Sequence, residues 1–232
     1  MRRSFEGFSP ETLRFLALLG TNNNRNWMES NRQLYRTCLL EPFKDLVEEL
    51  GSFMEEIDPF LETRAQVGKT ISRISRDARR NKSRPPYRTN MWFTFKVPSP
   101  DWKDSPAFFF ELFPDGYRYG MGFYFPSRET MRKLLRTVED STEEVLEKTE
   151  ILRQGHFQIM GERYKRLRSK EGTPRELQIW YQLKDFYVSV DRDIDETLFS
   201  RKLAELLKSE YRELTPLYNY LWEIRMKPDE ST

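Results

Sequence analysis

The chain of 232 residues predicts an α+β fold: N-terminal helices, a mostly antiparallel sheet of about five strands, and C-terminal helices packed on the sheet. Three observations lead there. Apolar residues keep helical spacing as far as Ile57, the spacing turns to period two between about residues 70 and 125, and helical spacing returns after Ser127. No repeat, low-complexity run or Gly/Ser linker interrupts the chain, so residues 1–232 read as a single domain with no internal boundary.

Taken in order, Ser9-Pro10-Glu11 opens the first helix, with Ser9 as N-cap and Pro10 at the first helical position. Leu13, Leu16 and Ala17 form its stripe, and Gly20 is a natural stop. The polar cluster Asn22-Asn23-Asn24-Arg25 leads into a second helix near residues 26–38, with Trp27, Asn31, Leu34, Tyr35 and Cys38 as its stripe. A third helix near 42–57 places Phe43, Leu46, Val47, Leu50, Phe53 and Ile57 on one face. Strands follow near 70–77, 90–97, 106–113 and 117–125, the last two joined as a hairpin through Pro114-Asp115-Gly116. Helices are expected from Ser127 and from Ser141, where Ser141 and Glu144 have capping-box spacing. An extended segment near 156–167, a short helix after Pro174 and a strand near 185–191 come next. The last helix begins near Asp195 and kinks or restarts at Pro216.

Composition excludes several classes of function. Apolar residues are 38% and aromatic residues 14%, so rings must supply much of the core. No window approaches the ~18 apolar residues of a membrane-spanning helix, and the N-terminus lacks an apolar leader stretch. One cysteine, Cys38, excludes an internal disulfide and any multi-cysteine metal site, and one histidine, His156, excludes His-rich metal sites. The expectation is a soluble cytoplasmic protein with no membrane partner. A net charge of +2 says little about other partners, but 26 Arg stand against 13 Lys, and Arg suits bidentate recognition of carboxylates and phosphates.

The strongest local signal is the segment from Arg73 to Arg88, which holds seven cations and one anion, Asp77. Its net +6 leaves about −4 on the rest of the chain, and such self-repulsion asks for anions nearby. Pro85-Pro86 stiffens the loop and fixes how Tyr87 and Arg88 enter the next strand. The alternative is a solvated loop paired with acidic helices. In a regular strand Arg73 and Arg76 lie on opposite faces, so one of them is structural unless a bulge intervenes.

A second feature is the strand from Tyr117 to Phe125. Tyr117, Tyr119, Met121, Phe123 and Phe125 share one face; Arg118, Gly120, Gly122 and Tyr124 share the other. Two glycines on one face leave bare backbone for a ligand, or for a packed helix, to approach, unless they mark a bulge. A third feature is Asn22 through Tyr35, where Trp27 and Arg32 could line a pocket or Trp27 could be plain core.

Several motifs fail. Gly68-Lys69-Thr70 resembles the end of a phosphate-binding loop, but Thr63 stands where its first glycine belongs and a strand follows it. Asp191, Asp193 and Asp195 could hold Mg²⁺, yet Asp193 or Asp195 is better placed as a helix cap, and no metal is assigned. His156 has no identifiable nucleophile and orienting acid, there is no Gly-x-Ser-x-Gly elbow, and Cys38 sits on an apolar face. No motif names a cofactor.

These positions also carry a resemblance. Phe5-x-Gly7-Phe8, Phe15-Leu16, Asn22-Asn23, Trp27, Asn31-Arg32, Tyr35 and Pro42 stand in order. They are followed by Arg73-Ile74-x-Arg76-Asp77-x-Arg79, Pro86-Tyr87-Arg88 and Gly122-x-Tyr124-x-Pro126. Over residues 5 to about 190 the chain resembles a conserved-hypothetical family of bacterial and fungal proteins, a domain of unknown function numbered twenty-four sixty-one in its series. Arg80, Asn81 and Ser83 stand where the family pattern has Phe, Ser and Asp, and Arg84 and Arg88 where it has Lys, so this loop is the more basic. The resemblance implies that these positions matter and carries no activity.

The leading expectation is an anion-binding domain for a phosphorylated or carboxylated small ligand. Its candidate residues are Arg73, Arg76, Asp77, Arg79, Arg84, Tyr87, Arg88, Gly120, Gly122, Tyr124, Trp27 and Arg32. One alternative is a single-stranded nucleic-acid module that adds Arg163-Tyr164-Lys165-Arg166-Leu167-Arg168. Another is a metal-dependent phosphoester enzyme on Asp77, Asp191 and Asp193.

Overall fold

The computed structural model describes residues 4–77, 83–166 and 172–228. Ser9 caps α1 (Pro10–Thr21), accepting from the Thr12 amide while the Thr12 hydroxyl takes the Ser9 N–H, and Asn22 closes the helix. The region read as one helix from 26 to 38 is three pieces: α2 (Arg25–Ser30), α3 (Arg32–Leu34) and a wider π-helical turn, Tyr35–Leu40. The first break is at Asn31, whose side-chain amide returns to the Trp27 carbonyl at 2.8 Å and competes with helical continuation. The widened turn precedes α4 (Glu41–Ile57), and its cause is Pro42. An α-helix would have the Cys38 carbonyl accept from residue 42, which has no N–H. The buried Thr12 hydroxyl donates to that carbonyl instead, at 2.6 Å.

Five strands form one antiparallel sheet in the order β1-β2-β3-β5-β4: β1 (Met91–Phe95), β2 (Pro106–Leu112), β3 (Gly116–Phe123), β4 (Gln158–Met160) and β5 (Tyr187–Asp193). The β2–β3 hairpin closes with the Phe113 N–H on the Gly116 carbonyl at 2.8 Å. In β4 and β5, Gln158 faces Ser189 and Met160 faces Tyr187. Residues 70–77 are not a strand. Their alternation yields only isolated pairings, Ile71 with Phe93 and Ser75 with Tyr87. Ile71 and Ile74 are both buried, three residues apart, so the face slips between them and no continuous ladder forms. The N-cap Ser127 opens α5 (Arg128–Asp140). Ser141 precedes α6 (Thr142–Lys148) without a side-chain cap bond, and the short α7 (Glu150–Arg153) follows. A 3-10 helix spans Arg175–Gln182. The last helix, α8 (Lys202–Met226), starts seven residues after Asp195 and runs through Pro216, where the Thr215 hydroxyl bonds the Tyr211 carbonyl at 2.8 Å.

The chain divides into two compact units that interleave in sequence. The first takes Met1–Phe95, Phe109–Tyr119 and Asp191–Ser209; the second takes Lys96–Phe108, Gly120–Val190 and Glu210–Thr232. The first unit's core is a ring cluster laid down by the apolar face of α4. Phe43 lies 5.1 Å from Phe8 and 5.9 Å from Phe110, and Phe110 stacks on Phe93 at 5.4 Å. In the second unit Phe108 packs on Tyr218 at 4.8 Å and Tyr211 at 5.2 Å, and Trp180 stacks on Phe186 at 4.6 Å. Among the described residues, no helix is long and apolar enough to cross a membrane.

Candidate functional site

In the first unit the basic segment forms two antiparallel arms, residues 71–77 and 83–88. The Arg76 amide donates to the Pro86 carbonyl at 2.7 Å and the Arg88 amide to the Ile74 carbonyl at 2.8 Å. Arg88 also ties the arms with its side chain. One guanidinium nitrogen donates to the carbonyls of Arg73 (3.0 Å) and Ser75 (2.7 Å), and the group lies 5.2 Å over the Trp92 ring. Arg76 is half-buried, and its Nε donates to the Tyr87 carbonyl at 3.2 Å. Of the two arginines that a regular strand would separate, Arg76 is therefore the one engaged with the backbone, and Arg73 is exposed. Arg84 and Asp77 are exposed too. Among the described residues, no carboxylate lies within ion-pair distance of Arg73, Arg76 or Arg84. Arg79 lies outside the described residues, as do Leu167 and Arg168 of the second basic cluster.

The turn before α2 holds the second arm. Asn23 donates its side-chain amide to the Tyr87 carbonyl (3.1 Å) and accepts the Tyr87 N–H (2.9 Å), so a side chain stands in for a strand partner. Arg32 is exposed and paired with Glu29 at 2.6 Å. Glu29 raises its pKa through that hydrogen bond and its charge, and Tyr87 adds a smaller electrostatic contribution. Trp27 is half-buried with its ring 5.6 Å from Phe15. Tyr35 lies 6.0 Å from the same ring, and burial pushes its phenol up to about 12. The structure thus places Arg73, Arg76, Arg84, Tyr87 and Arg88 on the two arms, with Arg32 paired to Glu29 and Trp27 against the core.

Gly120, Gly122 and Tyr124 belong to the second unit. A Cβ on Gly120 would stand 1.9 Å from the Val188 carbonyl oxygen, and one on Gly122 would stand 2.4 Å from the Tyr187 Cα. The bare backbone at both positions is taken up by β5, the close approach that the paired glycines allow. Strand β3 ends at Phe123, so Phe125 is not an inward residue of that strand: it is 73% exposed, beside Tyr124 at 59%. Tyr124 lies 5.4 Å from the Trp102 ring, with Lys96 Nζ 4.6 Å from Trp102 and Lys103 Nζ 5.8 Å from Tyr124. Sequence reasoning missed this cluster because its members are scattered between residues 96 and 125; the one local signal is an aromatic doublet ahead of Pro126.

Among the described residues, no three or more His, Cys, Asp and Glu side chains converge as metal ligands. Asp195 is engaged otherwise: it accepts from Arg192 (2.6 Å), Tyr117 (3.1 Å) and the Leu198 amide (3.2 Å). Burial works to raise its pKa, but these donors outweigh it and hold the carboxyl below the usual range. The phosphoester reading on Asp77, Asp191 and Asp193 has no such convergence to rest on.

A family model described as conserved hypothetical protein (DUF2461) matches residues 11–220. No curated protein matches the chain.

Proposed function

From the premise that the chain belongs to the DUF2461 family of conserved hypothetical proteins, we propose that it binds a small ligand carrying phosphate or carboxylate groups on the arms of its first unit. One observation carries the reading. Arg88 and Asn23 commit their hydrogen bonds to holding the arms, while Arg73, Arg76 and Arg84 lack a carboxylate partner among the described residues. Guanidinium groups held apart from carboxylates are donors for an external anion, and each can meet two oxygens at once. Tyr87 is fixed on the same arm through both its backbone groups. The protein works in the cytoplasm on this reading, where its one thiol, the buried Cys38, stays reduced.

The test is isothermal titration at low salt with inorganic phosphate, pyrophosphate and citrate against the full chain and against Arg73→Ala/Arg84→Ala. Removing two charge-assisted contacts should weaken binding about 100-fold or more, since each bond to a charged group contributes about 1.5–3 kcal/mol. Absence of binding to all three anions, or equal binding by the double variant, overturns the proposal.

A further inference from the structure

We infer that the open edge of β4, in the second unit, docks an extended peptide, which adds as a further strand and lodges a large apolar side chain in the cavity beside it. The inference does not rest on the anion site of the first unit. It starts from hydrogen bonds that the sheet leaves unmade. At the β1 edge the Ser72 N–H donates to the Trp92 carbonyl at 2.8 Å and the Thr94 N–H to the Thr70 carbonyl at 2.9 Å. β4 ends the sheet on the other side, with β5 as its neighbour. The Phe123 N–H donates to the Phe186 carbonyl at 2.8 Å, so Phe186 turns its backbone groups toward β3. These directions alternate along an antiparallel strand: Val188 also faces β3, while Tyr187 and Ser189 face β4. The Val188 carbonyl agrees, since a Cβ on Gly120, in β3, would stand 1.9 Å from its oxygen. Met160 and Gln158, opposite Tyr187 and Ser189, therefore make the bonds to β5. Ile159, opposite Val188, points its N–H and carbonyl away from the sheet. Among the described residues its N–H has no partner, and its carbonyl meets the exposed Arg163 guanidinium at 3.5 Å.

A cavity of about 470 Å³ adjoins that edge. Its apolar wall is Leu152 of α7, Phe157 and Ile159, and Leu177, Ile179 and Trp180 of the 3-10 helix. Phe157, Leu177 and Trp180 are buried, whereas Leu152, Ile159 and Ile179 are half-buried, so the wall reaches the surface. Arg153, at the same cavity, is paired with Glu150 and donates to the Leu146 carbonyl at 3.3 Å. The geometry selects the occupant. A small apolar molecule fills the cavity and takes nothing from the edge. A helix spends its backbone groups on itself. An extended peptide meets both features at once. Its residue opposite Ile159 exchanges two hydrogen bonds with it and, being directly opposite, projects its side chain from the face that carries Ile159, Phe157 and the cavity.

The test is fluorescence anisotropy of labelled nine-residue peptides titrated with the full chain. The peptides are threonine throughout except for phenylalanine, leucine or alanine at the centre. Phenylalanine and leucine should bind about 10- to 100-fold more tightly than alanine, the worth of one buried apolar side chain. N-methylation of the central residue removes its donor to Ile159 and should weaken binding about tenfold or more. The same change one residue later, where the N–H faces solvent, should leave affinity within about threefold. Ile179→Trp, which fills the cavity from a half-buried position, should erase the preference for phenylalanine over alanine. Ile159→Pro removes the outward N–H without touching a bond to β5, and should weaken every peptide. The N-methylated pair is read on the unaltered chain, so it decides whether or not either variant folds. The inference is overturned by no binding at millimolar peptide, by no preference for the larger side chains, or by equal loss from both N-methylations. Binding of N-acetylphenylalanine amide as tightly as the peptide overturns it too, and makes the cavity a small-molecule site. So does a dimer that Ile159→Pro dissolves while no peptide binds, which assigns the edge to a second copy of the chain. Arg73→Ala/Arg84→Ala should leave peptide binding unchanged, so failure here and failure of the anion proposal are read separately.

Discussion

Replacing Arg88 by alanine separates a positioning role from a ligand-binding one. The guanidinium makes two hydrogen bonds to backbone carbonyls, to Arg73 at 3.0 Å and Ser75 at 2.7 Å, and lies 5.2 Å over the Trp92 ring. Half-exposure holds each bond to about 1 kcal/mol, below the ~1.5–3 kcal/mol of a well-buried charged donor, and the contact with the ring adds about 0.5–1 kcal/mol. The total is about 2.5–3 kcal/mol. It acts on the arms more than on the whole molecule, because both bonded carbonyls lie in residues 73–75. The readout is therefore local: native-state hydrogen exchange of the Arg76 amide, which is held by the Pro86 carbonyl at 2.7 Å. At a factor of ten per 1.4 kcal/mol, its protection should fall about 60-fold or more. Phosphate affinity should fall with it although Arg88 is occupied within the protein. Protection unchanged within about threefold would refute the assignment of Arg88 as the tie between the arms, and a loss of affinity without a loss of protection would make it a ligand-contacting residue.

Three further outcomes follow from groups already described. Thr12→Val leaves the buried Cys38 carbonyl without its hydroxyl donor beside Pro42, and should lower the unfolding free energy by about 1–3 kcal/mol in a urea titration; Thr12→Ser should recover most of it. Asp195 has a folded-state pKa below its unfolded value near ~3.9, so its contribution is present above that value and is lost as pH falls through the folded pKa. Asp195→Asn should accordingly shift the urea midpoint at pH 7 and have a progressively smaller effect as pH is lowered below ~3.9; a shift that stays the same down to pH 2 would count against the carboxylate. Burial pushes the Cys38 thiol up to about 11, so it should react with a thiol reagent at pH 8 on the order of a hundredfold or more slowly in the native protein than in urea. Fast native labelling would contradict that burial.

Sequence reading succeeded where the cause of an element is local. Ser9, Pro10 and Thr12 sit within four residues of one another, and the apolar face of α4 repeats over four turns, so both helices were legible. The β2–β3 hairpin carries its own turn at Pro114-Asp115-Gly116. It failed where a distant partner decides. The alternation in 70–77 is real, but Ser72 and Thr70 bond with Trp92 and Thr94 in pieces, and Pro86 and Tyr87 receive the rest. The break at Asn31 is local too, yet helical spacing of Trp27, Leu34 and Tyr35 outweighed it in the pattern. At the candidate site, charge density picks out the segment that folds into the two arms. Spacing could not tell which arginine ties and which is presented, because that depends on carbonyls 13 and 15 residues away.

The interleaving of the two units also bears on how the protein is made. The first unit begins with the N-terminal helices but takes in Asp191–Ser209 as well. At about 5–20 residues per second, a ribosome needs roughly 5–20 s to travel from residue 95 to 191. During that interval Phe93, Phe95 and Phe110 are synthesised before the last segment of their own unit exists. Neither unit can be released from a gene by a single cut, so a nonsense mutation anywhere ahead of codon 209 removes part of both.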